Sequence, residues 1–328
     1  MIKLGVIYGG ISTEHDVSVM SAKSIIQNLD KEKYEIHEIY INKYGKWFES
    51  DEEIYNLIWV LKELDIVFPV LHGIGGEDGT IQGMLEMLQV PYVGCGVLAS
   101  SVGMDKVYTK IIFEKAGIPQ APYVYVKKNR EEYKIIDGNF DEEEFKLDKI
   151  TSKLNFPMFV KPSNSGSSVG VKKATNNAEL KMAIENAAQY DTKILVEQGI
   201  NGREVECAIL DGEQILASTV GEIMSAEDFY SFDAKYNIPE SKTIIPADIN
   251  EQQMEEIRTL AVKAFKAIDG KGLSRVDFFV ENGTNKIYIN EINTLPGFTK
   301  ISMYPKLFEA VGISYSELLD KLIENAIK

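Results

Sequence analysis

The chain has 328 residues, of which 45% are hydrophobic and 26% charged, and its formal net charge is -15. That length favours two or three domains, and that composition excludes a disordered chain. The acidic total argues against a nucleic-acid groove, where Lys and Arg must offset phosphate, so any anion site has to gather its cations locally.

Two cysteines, Cys95 and Cys207, stand in no C-x-x-C or Cys/His spacing. They give no zinc pattern and fit a reducing compartment. Residues 1–8 are too short an apolar run for a signal peptide, and no stretch approaches transmembrane length. A cytoplasmic protein with neither nucleic-acid nor membrane partners is expected.

Residues 2–8 form a β-rich run that ends in Gly9-Gly10. Ser12-Thr13-Glu14 offers a helix N-cap and an acidic first turn, and helical spacing follows over 17–29. Residues 34–41 read as a strand, 42–46 as a turn, and 66–71 as a buried strand that stops at His72-Gly73. Alternating strand and helix predict an open parallel sheet over roughly the first hundred residues. A loop from Gly75 to Thr80 enters a helix over 81–88, and 91–94 reads as a short strand.

A second block begins near Ser101, with a helix over 106–116 and a strand over 123–126. The highly charged span 127–153 reads as a solvated helix or loop at the periphery. Strands are predicted over 156–160 and 169–172, either side of a Gly/Ser-rich loop, then a helix over 179–188 and a strand over 194–197. Residues 204–210 and 214–220 read as a hairpin through Asp211-Gly212. Residues 229–246 lack apolar periodicity, the pattern of a functional lid or a disordered segment. Ile257, Leu260, Ala261, Ala264, Phe265 and Ile268 make 251–268 the strongest helix. Strands over 275–280 and 286–292 follow, and a helix over 315–327 closes the chain.

Four constellations bear on chemistry. Arg275 and Asp277 are two apart on one strand and share a face, as do Glu291 and Asn293 on the next. Paired antiparallel, these strands present Asp277, Glu291 and Asn293 as an oxygen cluster beside Arg275. Hard oxygen donors from few side chains suit Mg²⁺, which keeps other positions for water and nucleotide phosphate. The plainer reading, polar residues on a half-exposed hairpin, does not explain four polar groups converging on otherwise apolar strands.

The second constellation is the run Lys161-Pro162-Ser163-Asn164-Ser165-Gly166-Ser167-Ser168-Val169-Gly170, a lysine at a strand end followed by small residues. It can fold over phosphates with backbone N–H donors. It lacks the Walker spacing, and on this segment alone an ordinary surface loop fits equally. Gly9-Gly10 fails the dinucleotide spacing. Glu14 serves either the helix dipole, the simpler local role, or a substrate ammonium. His72, at the same sheet edge, is one of three histidines and by itself is weak evidence.

Together these pieces resemble the D-alanine–D-alanine ligase family, of the ATP-grasp type, from Gly9 to Lys306 in the family's order. The most specific segments are Leu71-His72-Gly73 through Gly76-Glu77-Asp78-Gly79-Thr80, Met104-Asp105-Lys106, the 161–170 loop, and Asn290-Glu291-Ile292-Asn293-Thr294-Leu295-Pro296-Gly297-Phe298. The resemblance implies an α/β protein, α+β in its ATP-clasping lobes. It places an N-terminal Rossmann-like substrate domain at 1–102, a central ATP-grasp lobe at 103–196, and a C-terminal lobe with the metal and catalytic residues at 197–328.

It further implies ATP contacts from Lys106, Lys161, Ser168, Ile200 and Lys235, with Glu197 and Glu204 on adenine and ribose. Asp277, Glu291 and Asn293 would hold two Mg²⁺, with Mn²⁺ a substitute. Glu14, Ser167 and Tyr236 would orient the first D-alanine, with Lys235 and Tyr236 on the lid. His72, Ser302 and Met303 would line the amino-acid pockets. Arg275 and the Gly297 N–H would stabilise an oxyanion. A homodimer is implied as well.

Two positions depart from the common pattern: Ser231-Phe232 replaces an acidic–tyrosine pair, and Gln198 replaces a lysine after Glu197. Both touch lid packing and nucleotide contacts, not the reaction. The expected activity is ATP-dependent joining of two D-alanines. Relatives that add D-serine or D-lactate, and a catalytically silent nucleotide-binding regulator, are the alternatives. Lys235-Tyr236 disfavour the lactate option, Met303 suits a methyl group where an arginine would favour serine, and intact Asp277, Glu291 and Arg275 disfavour the regulator.

Overall fold

The computed structural model describes residues 1–224 and 242–327. Three sheets organise them. In the first, β1 (Ile2–Gly9) lies between β2 (Tyr34–Ile41) and β5 (Ile66–Val70), parallel to both, and β3 (Trp47–Glu49) and β4 (Glu52–Glu53) extend it antiparallel. All five residues of β5 are buried. Pro69, which has no N–H to donate, is tolerated because β5 is an edge strand. The expected strand at 91–94 is reduced to one bridge, between Val67 and Tyr92.

The second sheet has the order β10-β9-β11-β6-β7-β8. Its strands are β6 (Tyr123–Asn129), β7 (Glu132–Ile136), β8 (Glu142–Glu144), β9 (Met158–Pro162), β10 (Lys172–Ala174) and β11 (Lys193–Gln198). The expectation of a solvated helix or loop over 127–153 is therefore corrected: most of the span is an antiparallel ribbon with one short helix, Leu147–Thr151. Its charged residues face solvent while Ile135, Ile136 and Ile150 enter the core. The strand expected at 169–172 forms later, as β10, because 166–170 turn back over the site.

The third sheet has the order β14-β13-β12-β15-β16. Its strands are β12 (Gly202–Leu210), β13 (Leu216–Met224), β14 (Lys242–Ile244), β15 (Leu273–Glu281) and β16 (Ile287–Asn293). The helix Glu251–Ala267 covers it, capped by a reciprocal Asn250–Gln253 box. Ile257, Ala261, Ala264 and Phe265 make its buried stripe. Three helices escaped the periodicity reading, Leu57–Lys62, Val97–Met104 and Met303–Glu309, each too short to show a repeat.

The first and third sheets share a core. Leu318, Leu319, Leu322 and Ile323 of the closing helix Tyr315–Ile327 pack with Leu4, Phe68 and Phe298. Phe68 and Phe298 meet edge to face, with ring centroids 5.6 Å apart. Truncating a fully buried leucine costs its transfer energy plus a cavity term. Leu322→Ala should therefore lose ~2–5 kcal/mol in urea denaturation, whereas Met182→Ala, at a 60% exposed site, should stay within ~0.5 kcal/mol.

Candidate active site

A cavity of about 620 Å³ lies between the second and third sheets and is closed at one end by Glu14, His72 and Glu77. Its floor follows from strand periodicity. On β15, Val276 and Phe278 point into the core, so Arg275 and Asp277 face the cavity. Arg275 pairs with Asn293 and Asp277 with Glu291 on β16, and on the other side Glu206 of β12 pairs with Asp277. Three carboxylates thus stand in a row across three strands.

Arg275 offsets their repulsion. Its Nε donates to Asp277 Oδ1 and an Nη to Oδ2, both at 2.7 Å, and Nε lies 3.0 Å from Glu206 Oε2. The donors beside it, Asp277, Glu291 and Asn293, are all oxygens and suit a hard cation. Among the described residues no group of three or more His, Cys, Asp and Glu side chains forms a ready metal cage. Mg²⁺ therefore fits here only with further oxygen ligands from a nucleotide or water.

A second charge centre sits on β9 and β11. Glu197 is buried, one carboxylate oxygen on Lys110 and the other 2.7 Å from Lys161 Nζ. Burial would raise the Glu197 pKa, but Lys110 and Lys161 outweigh it and hold the carboxyl below its ordinary range. Burial likewise opposes the Lys161 charge, yet Glu197, Glu291 and Glu204 keep its pKa above the usual lysine value. Lys161 also reaches Asn290 Oδ1 at 3.4 Å.

The Gly/Ser-rich loop joins these centres. The Lys106 N–H donates to the Ser163 carbonyl at 3.1 Å and its Nζ to the Ser165 carbonyl at 2.7 Å. Asp105 caps the helix Lys106–Lys115 and also binds Ser163 and Lys193. Ser167 and Ser168 adopt φ of +46° and +61°, a region costly for residues with a Cβ. The Ser167 hydroxyl donates to Glu14, whose carboxylate does not cap its own helix, His15–Asn28. Glu14 thus makes a tertiary contact while standing at the helix N-terminus. Gly73 and Gly166 admit the carboxylate: a Cβ on either would come within 2.5 and 2.6 Å of Glu14 Oε2.

Ser168, Ile200, Glu204, Gly297, Ser302 and Met303 line the same cavity. Lys235 and Tyr236 lie outside the described residues. Ser302 Oγ accepts the Thr299 N–H at 3.0 Å. Met303 is buried against β13, where a Cβ on Gly221 would come within 2.4 Å of its Cε.

Three charged groups went unread in the sequence. Glu206 follows Glu204 by two on β12, a spacing that could have marked it. Lys110 follows Lys106 by one helical turn. Glu77 accepts the Gly73 N–H at 2.8 Å, and burial, reinforced by the Glu14 charge, pushes its pKa up to about 8.

Two sheets closing on a cavity with paired lysines, an arginine and an oxygen cluster define an ATP-grasp ligase. The comparisons agree. Residues 3–60 and 56–95 match the family profile described as D-ala D-ala ligase N-terminus, and residues 112–324 match D-ala D-ala ligase C-terminus. The chain is 51% identical to the D-alanine–D-alanine ligase of Acetivibrio thermocellus, over 98% of this chain and 95% of that protein. The VanG D-Ala:D-Ser ligase from Enterococcus faecalis superimposes with a TM-score of 0.86 at 34% identity, over 99% of each chain. The D-alanine–D-alanine ligase from Bacillus anthracis complexed with ATP gives 0.80 at 33% identity, over 100% of this chain and 98% of that one. The chain belongs to the D-alanine–D-alanine ligase family.

Removing one member of a buried ion pair leaves an uncompensated charge. Glu197→Gln leaves Lys110 and Lys161 side by side without their shared carboxylate and should cost ~3 kcal/mol in urea denaturation, and adding Lys110→Met should recover most of it. A double variant no more stable than the single would show that charge compensation is not what Glu197 supplies.

Proposed function

We propose that this chain joins two D-alanines into D-alanyl-D-alanine at the expense of ATP, for cell-wall peptidoglycan. The observation that carries this reading is the convergence of Arg275, the Glu206–Asp277–Glu291 row, Lys161 and the Glu14–Ser167 pair on one cavity. The near-full-length relatives named D-alanine–D-alanine ligase support the substrate.

The carboxylate of the first D-alanine attacks the γ-phosphorus of ATP, giving an acyl phosphate and ADP. Lys106 and Lys161 offset the charge that develops on phosphate oxygens. Glu14, with Ser167 and Tyr236, holds the ammonium of the first amino acid and orients its carboxylate. The amine of the second D-alanine attacks the activated carbonyl, Arg275 and the Gly297 N–H stabilise the oxyanion, and phosphate leaves. Asp277, Glu291 and Asn293 are the residues that would hold Mg²⁺, two ions with Mn²⁺ as substitute, which supplies charge neutralisation to the phosphates when bound. Glu197 and Glu204 take the adenine and ribose, with Ser168, Ile200 and Lys235 as further nucleotide contacts. His72, Ser302 and Met303 line the amino-acid pockets.

The same reading keeps the three units at 1–102, 103–196 and 197–328, each supported by one sheet. It also takes the chain to be a homodimer and cytoplasmic. No described helix is long and apolar enough to cross a membrane. Buried, apolar Met303 favours a methyl group over a hydroxymethyl at the second position, though one such group is worth only ~1–3 kcal/mol.

The test is phosphate release with ATP and Mg²⁺, offering D-alanine alone and paired with D-serine, D-lactate or L-alanine, with products identified by mass. Turnover on D-alanine alone to the dipeptide is expected. Turnover only with D-serine or D-lactate present would overturn the pocket assignment, and no turnover with any pair by a protein that binds ATP would overturn the ligase reading.

A further inference from the structure

Ser21, in the middle of the helix His15–Asn28, is fully buried and takes no part in the mechanism above. Its Oγ lies 3.0 Å from His72 Nε2 and accepts the Phe298 backbone N–H at 3.2 Å. A backbone N–H can only donate, a hydroxyl oxygen can accept twice but has one proton to give, and in a fully buried serine that proton is left unsatisfied unless an acceptor receives it. Among the described residues, His72 Nε2 is the acceptor within reach of that proton. Nε2 is then unprotonated, and the neutral ring carries its hydrogen on Nδ1. Nδ1 lies on the side of Glu77, 3.9 Å from Oε1, and the Leu295 backbone lies beside the ring. Both of those residues line the cavity. Burial lowers the His72 pKa, which favours the neutral ring.

The other side of Phe298 follows the same logic. Tyr315 donates its hydroxyl proton to the Phe298 carbonyl at 2.7 Å, so its oxygen accepts from Ser24 Oγ at 3.1 Å. Helix His15–Asn28 therefore grips the residue after Gly297 at its N–H through Ser21 and at its carbonyl through Ser24 and Tyr315. Gly297 lines the cavity, and Phe298 sits in the core that the first and third sheets share.

We propose that Ser21 is a positioning residue whose single hydroxyl sets the tautomer of His72 and fixes the backbone that carries the Gly297 donor. The second half rests on the reading of Gly297 as an oxyanion donor. One consequence is chemical: His72 meets the cavity as a hydrogen-bond donor from Nδ1 and not as a proton acceptor there.

The test uses the full chain with ¹⁵N-labelled imidazoles and a long-range proton–nitrogen correlation, the three histidines being assigned with His72→Gln. In the wild type, Nε2 of His72 should be pyridine-like and Nδ1 pyrrole-like. In Ser21→Ala the two nitrogens should lose that distinction, and kcat for dipeptide formation should fall about tenfold with KM for ATP unchanged. Ser21→Thr, which keeps the hydroxyl, should retain both properties. A protonated Nε2 in the wild type overturns the proposal even if Ser21→Ala fails to fold. So does a Ser21→Ala enzyme whose kcat matches the wild type. A wild type that forms no dipeptide would sink the Gly297 reading, while its imidazole spectrum would still decide the Ser21 assignment.

Discussion

A cavity that is to receive a triphosphate in a chain of net charge -15 must have its own carboxylates neutralised first. Glu197, Glu206 and Asp277 are buried or nearly so, and each already holds a cation: Lys110 and Lys161 on the first, Arg275 on the other two. At close range in a poorly solvated site these pairs are strong, and an unpaired member would be costly. The acids therefore store the cations in place before a nucleotide arrives. An incoming phosphate competes for groups that are already aimed, so little reorganisation is left to do.

The same economy governs the backbone. The loop 163–171 is held by Asp105, Lys193 and Lys106 on one side and by Glu14 on the other. That grip sustains the left-handed Ser167 and Ser168. The 294–299 loop is likewise held through Phe298 by Ser21 and Tyr315. Both cavity loops are thus anchored on the helix His15–Asn28 or the residue that precedes it. The shared core of the first and third sheets is what makes that helix a fixed reference.

Much of this was legible in the sequence where a short-range period carried it. The alternation of Arg275, Asp277, Glu291 and Asn293 gave the oxygen cluster, and β15 and β16 pair in the register that alternation requires. The spacing of Glu206 from Glu204 put it on the cavity face of β12, but only the neighbour relation of β12 and β15 brings it to Arg275. Lys110 and Ser21 read as ordinary helix residues until tertiary packing gives them partners. The ribbon beyond the strand read at 123–126 was hidden over 127–144 by charge density, which masked the inward Ile135 and Ile136. The role of Glu14 depended on residue 167, far along the chain, and no local pattern could reveal it.

The most direct measurement is transfer of label from D-alanine carrying ¹⁸O in its carboxylate, followed by mass analysis of the phosphate released during dipeptide synthesis. If the carboxylate attacks the γ-phosphorus and the amine then displaces phosphate, one labelled oxygen per turnover must appear in phosphate and the other must remain in the peptide carbonyl. Phosphate free of label, with the displaced oxygen found in AMP or in water, would contradict an acyl phosphate at this site.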